Sequence, residues 1–488
     1  MKIAFLSSEV APYAKTGGLA DVSQALPAAL ARNGAKVAVF MPLYGVVKDA
    51  GPNLIKVLDG QAMAWQGETL GLTVWADPST PYPVCFIEQA RYFERSEGAG
   101  LYGTPSGDFP DNGERFAFFC RAVLEALKGL PFEADIIHAN DWQAALAPAY
   151  LRQACGGDSF FDRTKSVFTI HNLAYQGLFR PEILASVGLP GRLFRMEDME
   201  FWGQVSFMKA GILYADAVTT VSRRYSREIQ TPEYGWGLDG LLRSRADVLT
   251  GIRNGIDAGS WNPASDHAIA APFSAADPAG KEACRRDLRA AFGLPSPRRE
   301  TPILGLVSRL AEQKGIDIFL GALEGIVALG VQLVVLGTGD SGLEAGLRAA
   351  RERFPSFVGV RFGFDDALAR RIYAGSDCFL IPSRYEPCGL TQMIAMAYGS
   401  VPVARATGGL DDTIQAYDAS TRTGTGFKFQ TPDPAAFLDA VKRAIRHIES
   451  PPDRTALIKN AMSEDFSWRE PAAEYEALYR GLFTPRVQ

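Results

Sequence analysis

Short runs rich in Val and Ile alternate with longer segments of helical periodicity along most of the chain, and this alternation restricts the fold more than any other feature. Each run is bounded by glycine or polar residues, the form that repeated βαβ units around a parallel sheet take in sequence. In the first half the pattern predicts strands at Lys2 to Ser7, Lys36 to Met41, Asp135 to Ala139, Ser166 to His171 and Ala217 to Val221. A second series is predicted at Ile303 to Val307, Gln332 to Leu336, Phe357 to Phe362, Cys378 to Ile381 and Val401 to Ala404. The class is therefore α/β, and a chain of 488 residues is too long for one hydrophobic core to organise. Between the two series, Asn254-Gly255 and Trp261-Asn262-Pro263 lead into a loop-like stretch rich in Ala, Pro and Ser that runs to Gly280. The expected organisation is one domain over 1–252, a second over 253–463, and a closing helical segment over 464–488. There Tyr475, Leu478, Tyr479 and Leu482 recur at helical spacing, and Ser467 with Glu470 predicts a capping box.

Charge and cysteine content exclude several function classes. With 55 acidic and 50 basic residues the net charge is -5, which opposes the phosphate backbone of a nucleic acid. The six cysteines form no Cys-x-x-Cys pair and no Cys/His cluster, which argues against a zinc site and a disulfide scaffold and suits a reducing cytoplasm. The apolar run Ile3 to Leu6 is too short for a signal-peptide core, and no stretch approaches the length of a membrane span. A soluble, unexported protein is expected. No Arg/Ser-rich transit segment precedes the first strand, which favours a bacterial origin.

Several segments place chemistry at strand ends. Lys15-Thr16-Gly17-Gly18-Leu19-Ala20-Asp21 lies between a strand and a helix, where glycines admit a ligand to the backbone and N–H groups favour anions. An ordinary βα turn with a solvated lysine has the same spacing, and Pro27 predicts a kink in the helix that follows. In the second half Arg309 ends a strand and Lys314-Gly315 follows, so two cations suited to a diphosphate stand where α/β ligands bind, unless they are a solvated surface pair. Arg384-Tyr385-Glu386-Pro387-Cys388-Gly389-Leu390-Thr391 joins a strand to a helix, giving a phosphate cradle with one carboxylate in front; a helix-capping glutamate is the alternative. Gly337-Thr338-Gly339-Asp340-Ser341-Gly342 matches the dinucleotide fingerprint, with Asp365 placed as a ribose-binding acid. It follows the second strand of its series rather than the first, which disfavours a dehydrogenase. His171 ends a strand beside Asn172, and His138 lies near the end of another before Asp141-Trp142; either imidazole suits a satisfied core position, and no third ligand suggests a metal. The glycine-rich segment from Glu94 to Arg115, containing Tyr102, is long for a connection and reads as a lid or acceptor contact. Thr16 to Asp21 is echoed by Thr407-Gly408-Gly409-Leu410-Asp411-Asp412, a match that chance explains as well as duplication does.

Taken in order, these segments resemble the bacterial glycogen synthase and plant starch synthase family from Lys2 to about Phe483. The matching motifs are Lys15 to Val22, Asp141-Trp142-Gln143, His171-Asn172, Thr231 to Gly235 with Gly237 to Gly240, Arg309 with Lys314, Arg384 to Thr391, and Thr407 to Leu410. The resemblance implies the GT-B architecture, two Rossmann-like domains of doubly wound parallel sheet facing across a cleft, with the last helix crossing back to the first domain. It implies retaining transfer of glucose from ADP-glucose to the non-reducing end of an α-1,4-glucan or glycogen. No cofactor is expected, and the lack of an Asp-x-Asp pair or His cluster beside the cationic and helix-terminal groups predicts metal independence. It places Arg309, Lys314 and the backbone of Cys388, Gly389, Leu390 and Thr391 on the ADP diphosphate, with Lys15 and Gly18 approaching from the other domain. Glu386 is implied on the glucose hydroxyls, His171 against the transferring sugar, and Asp141, Asn172, Asn254 and Tyr102 along the donor and acceptor cleft. Phe364 stands where a tyrosine is expected to stack on the adenine, and stacking does not need the hydroxyl. The runner-up within the fold is a sugar-nucleotide epimerase or a glucosyltransferase for a small acceptor. A non-catalytic sugar-nucleotide sensor is the reading from another class, against which the intact Glu386, Arg309 and Lys314 argue.

Overall fold

A computed structural model describes residues 1–95, 98–104, 106–296 and 301–484. The chain divides into two compact units, one formed by Met1–Gly255 with Trp468–Gln488 and the other by Ile256–Ser467.

The first unit is built on a nine-stranded sheet. Its strands are β1 (Lys2–Leu6), β2 (Lys36–Pro42), β3 (Ile55–Trp65), β4 (Glu68–Asp77), β5 (Val84–Glu88), β6 (Ile136–Asn140), β7 (Lys165–Ile170), β8 (Ala217–Thr220) and β9 (Leu249–Gly251). They lie in the order β9-β8-β7-β6-β1-β2-β5-β4-β3. All neighbours are parallel except at the β3–β4 and β4–β5 pairs, which form an antiparallel edge. The central strands are buried on both faces, as crossover helices require, and their apolar runs are continuous for that reason.

The second unit holds a six-stranded, all-parallel sheet of β10 (Ile303–Val307), β11 (Gln332–Gly337), β12 (Val358–Phe362), β13 (Cys378–Ile381), β14 (Val401–Arg405) and β15 (Phe427–Phe429). The order is β12-β11-β10-β13-β14-β15. Leu304, Leu306, Phe319, Val335, Leu380, Val403 and Phe437 form part of one buried cluster between this sheet and its helices.

One local expectation, at the last helix, is corrected, and the glycine fingerprint that already argued poorly for a dinucleotide has a packing role. Pro27 lies inside a helix that runs over Gly18–Arg32. The final helix is Arg469–Gly481 with Trp468, not Ser467, at its N-cap, and Glu470 pairs with Arg253 at 3.3 Å. This helix packs on Gly18–Arg32 and buries Tyr475 and Tyr479. The dinucleotide-like glycines are there for packing: a Cβ at Gly337 would lie 2.0 Å from the Ser308 carbonyl oxygen, and one at Gly339 2.3 Å from that of Leu310. Asp340 and Asp365 are helix N-caps, accepting from Leu343 N–H at 3.0 Å and Leu368 N–H at 2.9 Å. No helix among the described residues is long and apolar enough to cross a membrane.

Candidate active site

In the first unit, parallel register collects polar residues at the carboxyl ends of β1, β6 and β7, the edge at which α/β sheets bind ligands. Asp141 follows β6 with φ +55, a left-handed conformation that few non-glycine residues adopt. It turns Oδ1 toward the next strand, where it accepts the backbone N–H groups of His171 at 2.7 Å and Asn172 at 3.3 Å. Burial raises the Asp141 pKa to about 7 against the lowering effect of those two hydrogen bonds, and the charge of Glu9 raises it further. His171 Nε2 lies 2.9 Å from Asn140 Oδ1, and Asn140 Nδ2 is committed to the Leu6 carbonyl at 3.0 Å. Nε2 therefore carries the proton, and Nδ1 keeps its lone pair. Burial lowers the His171 pKa to about 3, so the ring is neutral at physiological pH.

His138 is a core residue. Its Nδ1 meets the Tyr479 hydroxyl at 2.7 Å and its Nε2 the Thr169 hydroxyl at 2.6 Å, so it ties the final helix to the sheet.

Lys15, Gly18 and Tyr102 stand around a residue that sequence reasoning missed. Glu9 is buried after β1 and accepts from Thr16 N–H at 2.5 Å, the Thr16 hydroxyl at 2.5 Å, Gly17 N–H at 3.2 Å and the Tyr102 hydroxyl at 2.7 Å. A carboxylate of the chain itself thus takes the Thr16 and Gly17 donors that the motif offers to an anion, and Lys15 pairs with Asp21 at 2.7 Å. Gly18 opens the helix Gly18–Arg32 and is exposed. The Tyr102 segment carries a small hairpin, Gly103–Thr104 with Gly107–Asp108; residues 96, 97 and 105 of the expected loop lie outside the described residues. Asn254 is buried beyond β9, and its Oδ1 has no hydrogen-bond partner among the described residues.

In the second unit a close backbone approach makes the site. Gly315 adopts φ +64, and a Cβ there would lie 2.0 Å from the Pro382 carbonyl oxygen, so only glycine lets the segment after β10 touch the one after β13. That contact brings Lys314 Nζ to 2.6 Å from Glu386 Oε2, which also accepts from the Ser383 hydroxyl at 3.1 Å. Gly408 and Gly409 close the other side: a Cβ would lie 1.9 Å from the Glu386 carbonyl oxygen and 2.0 Å from that of Cys388, respectively. Cys388 is buried, Gly389 has φ +71, and Leu390 caps the helix Thr391–Ala397. Gln392 Nε2 fixes the turn by donating to the Gly389 carbonyl at 2.8 Å. Arg309 is exposed at the end of β10, and Phe364 is 83% exposed after Gly363. Ser383 and Asn140 joined no sequence motif, although each is a polar residue just after or at the end of a strand. Among the described residues, no three His, Cys, Asp or Glu side chains are grouped to hold a metal ion.

A glycogen synthase of Anaeromyxobacter dehalogenans (strain 2CP-1) is 49% identical to this chain, covering 99% of each. The chain belongs to the glycogen and starch synthase family. Residues 2–244 match the starch synthase catalytic domain and residues 301–447 the glycosyl transferases group 1 family. A second relative, glycogen synthase 2 of Geobacter sulfurreducens, is 46% identical over 98% of each chain. Among solved structures, the catalytic domain of starch synthase IV from Arabidopsis thaliana bound to ADP and acarbose is similar with a TM-score of 0.90 and 36% identity, covering 98% of this chain and 99% of that one. Sucrose-phosphate synthase from Thermosynechococcus elongatus shares the GT-B fold at a TM-score of 0.60 and 20% identity, covering 99% of each chain.

Proposed function

We propose that this chain transfers glucose from ADP-glucose to the non-reducing end of an α-1,4-glucan, releasing ADP with retention at the anomeric carbon. The observation that carries this reading is the Lys314–Glu386 pair, held by Ser383 beside the glycine turn that opens Thr391–Ala397, in a chain so similar to glycogen synthases. Lys314 and the exposed Arg309 bind the diphosphate, and their attraction strengthens as the bond from C1 to phosphate oxygen breaks and its electron pair passes to ADP. Backbone N–H groups of Cys388 to Thr391 hold the same anion, and Phe364 stacks on the adenine. Glu386 orients the glucose hydroxyls and balances positive charge on the ring. The acceptor 4-hydroxyl attacks C1 from the leaving-group face and gives its proton to the departing phosphate oxygen. His171 is neutral and offers Nδ1 to a sugar hydroxyl, while Asp141, Asn172, Asn254, Tyr102, Lys15 and Gly18 are the first unit's contributions to substrate binding. The six cysteines, all free and buried, suit a reducing compartment, and we place the enzyme in the cytoplasm.

ADP release from ADP-glucose, with and without glycogen and repeated with UDP-glucose, tests donor, acceptor and reaction together. Glycogen-dependent release that persists in EDTA and prefers the adenine donor is expected. ADP release that ignores glycogen would overturn the reading.

A further inference from the structure

Two consecutive residues at the end of β6 hold His171 by different atoms. Asn140 is the last residue of β6 and pairs in register with Thr169 of β7, so it stands one strand away from His171, which follows Ile170. Asp141 takes the backbone N–H of His171 at 2.7 Å, whereas Asn140 takes the ring, with its Oδ1 2.9 Å from Nε2. Asp141 therefore fixes where the histidine sits, and Asn140 fixes which of its nitrogens is left for a ligand.

The direction of the Asn140–His171 hydrogen bond is decided at the far side of the amide. Asn140 Nδ2 donates to the Leu6 carbonyl at 3.0 Å and to the His138 carbonyl at 3.4 Å, in a side chain that is 1% exposed. Turning the amide over would set Oδ1 against those two carbonyl oxygens, acceptor on acceptor in a buried place. Oδ1 is thus held toward the imidazole, and Nε2 must bring the proton. An amide is also uncharged, so it accepts this hydrogen bond without drawing a second proton onto the ring, as a carboxylate would. Burial acts in the same direction and lowers the His171 pKa to about 3. The ionisable groups around the ring do not oppose this: His138 is itself kept neutral by burial, and Asp141, with Glu9 beyond it, meets the backbone N–H of His171.

We propose that Asn140 is a positioning residue that makes His171 a hydrogen-bond acceptor toward the transferring glucose. This role rests on the synthase reading, in which His171 meets the donor sugar. As the bond from C1 to phosphate oxygen breaks, the sugar gains positive charge and its hydroxyls become stronger donors, so a neutral lone pair on Nδ1 binds them more tightly in the transition state than before it. A proton on Nδ1 would remove that lone pair and set a positive charge beside a positive ring. Asn140 excludes both by giving the opposite nitrogen an uncharged acceptor.

The test reads the ring nitrogens and the kinetics together. Long-range proton–nitrogen NMR on isotopically labelled histidine distinguishes protonated from bare ring nitrogens; the chain has four histidines, and His171→Gln identifies the signals of interest. Wild type should show Nε2 protonated and Nδ1 bare between about pH 5 and 8. Asn140→Leu, which fills the space but accepts nothing, should release the ring to a mixture of tautomers and lower kcat about tenfold with little change in donor KM. Asn140→Asp keeps the acceptor and adds a charge. Its His171 should carry protons on both nitrogens at neutral pH, with kcat depressed there and recovering at alkaline pH as the Nδ1 proton leaves. Loss of packing alone would not produce that recovery. A wild-type ring with its proton on Nδ1 overturns the proposal, as does Asn140→Leu with tautomer and kcat unchanged. Should the leucine variant fail to fold, Asn140→Asp decides, and the absence of an alkaline recovery overturns the proposal. Nitrogen signals as expected in a protein that transfers no glucose would leave Asn140 in control of the ring and remove the synthase reading.

Discussion

Lys314 Nζ lies 2.6 Å from Glu386 Oε2, joining two chain segments separated by seventy-two residues through a carboxylate that is 7% exposed. The pair fixes the ammonium, so the diphosphate proposed to bind there would meet a positioned charge. Lys314→Ala removes that charge and leaves the Glu386 carboxylate with Ser383 alone of these two partners. We expect kcat to fall by roughly two to three orders of magnitude, with a much smaller change in donor KM, because the interaction is strongest in the transition state. Lys314→Arg should recover part of the loss. Equal effects on kcat and KM would assign Lys314 to ground-state binding only.

Activity should decline below about pH 7 with the slope of one proton. Asp141, its pKa raised to about 7, loses its charge there and with it the strength of its hold on the His171 and Asn172 N–H groups. His171, at about 3, remains neutral across this range and does not supply the limb. The profile of Asp141→Asn should be flat from pH 5 to 8 at reduced kcat; an unchanged acid limb in that variant would point to another group.

The His138–Tyr479 contact predicts stability rather than rate. Tyr479→Phe strands His138 Nδ1 in the core and should cost about 1–3 kcal/mol in denaturant unfolding, with little change in activity at low temperature. Burial lowers the His138 pKa to about 3, so below the unfolded value near 6.5 only the unfolded chain takes up this proton. Its effect on stability is constant above about pH 6.5 and becomes unfavourable as pH falls toward 3, by at most about 1.4 kcal/mol per pH unit. Asp141 works with the opposite sign between its unfolded value and 7, so the measurement is the difference between wild type and His138→Gln. A difference independent of pH between 6.5 and 4 would refute the assignment.

Much of this fold was legible because a parallel sheet buried on both faces writes its strands as continuous apolar runs: β1, β2, β6, β7, β8 and all of β10 to β14 stand within a residue or so of expectation. The edge hairpin was not. β3 is exposed along most of its length and has no clear alternation, although Leu72, Val74 and Ala76 in β4 carry one. At the candidate site, His171 is legible at a strand end and Lys314 and Glu386 in the segments that follow strands, whereas the role of Asp141 is legible only through the family resemblance. Glu9 is not legible, since nothing local marks a carboxylate whose partners are the next loop and Tyr102. Neither is the pairing of Lys314 with Glu386, which depends on Gly315 passing beneath Pro382.

Retention without a covalent intermediate is the fourth expectation. Glu386 Oε2 is engaged by the Lys314 ammonium and the Ser383 hydroxyl, which leaves the lone pairs of that oxygen less available for attack on C1. Enzyme quenched during turnover and examined by intact-mass spectrometry should show no glucosyl adduct. An adduct mapped to Glu386 would establish double displacement and make that residue the nucleophile.

The last expectation concerns Gly408. Its φ of +43 and the 1.9 Å that would separate a Cβ from the Glu386 carbonyl oxygen mean that alanine cannot enter without moving the backbone of Glu386. The obstacle is backbone rather than the end of a flexible side chain, and Gly409 N–H donates to the same carbonyl at 3.1 Å, so the segment has no easy retreat. Gly408→Ala should therefore displace Glu386 and, through the ion pair, Lys314. A shift of about 1 Å in positioned groups is enough to cost on the order of a hundredfold in kcat. Gly191→Ala, where a Cβ meets nothing within 4 Å, is the control and should be neutral. Thermal unfolding separates the two ways in which Gly408→Ala fails. A variant that melts within a few degrees of wild type yet has lost its turnover confirms that the glycine serves the geometry of Glu386. Full turnover in that variant would show that the site tolerates the displacement and that the close approach serves packing alone.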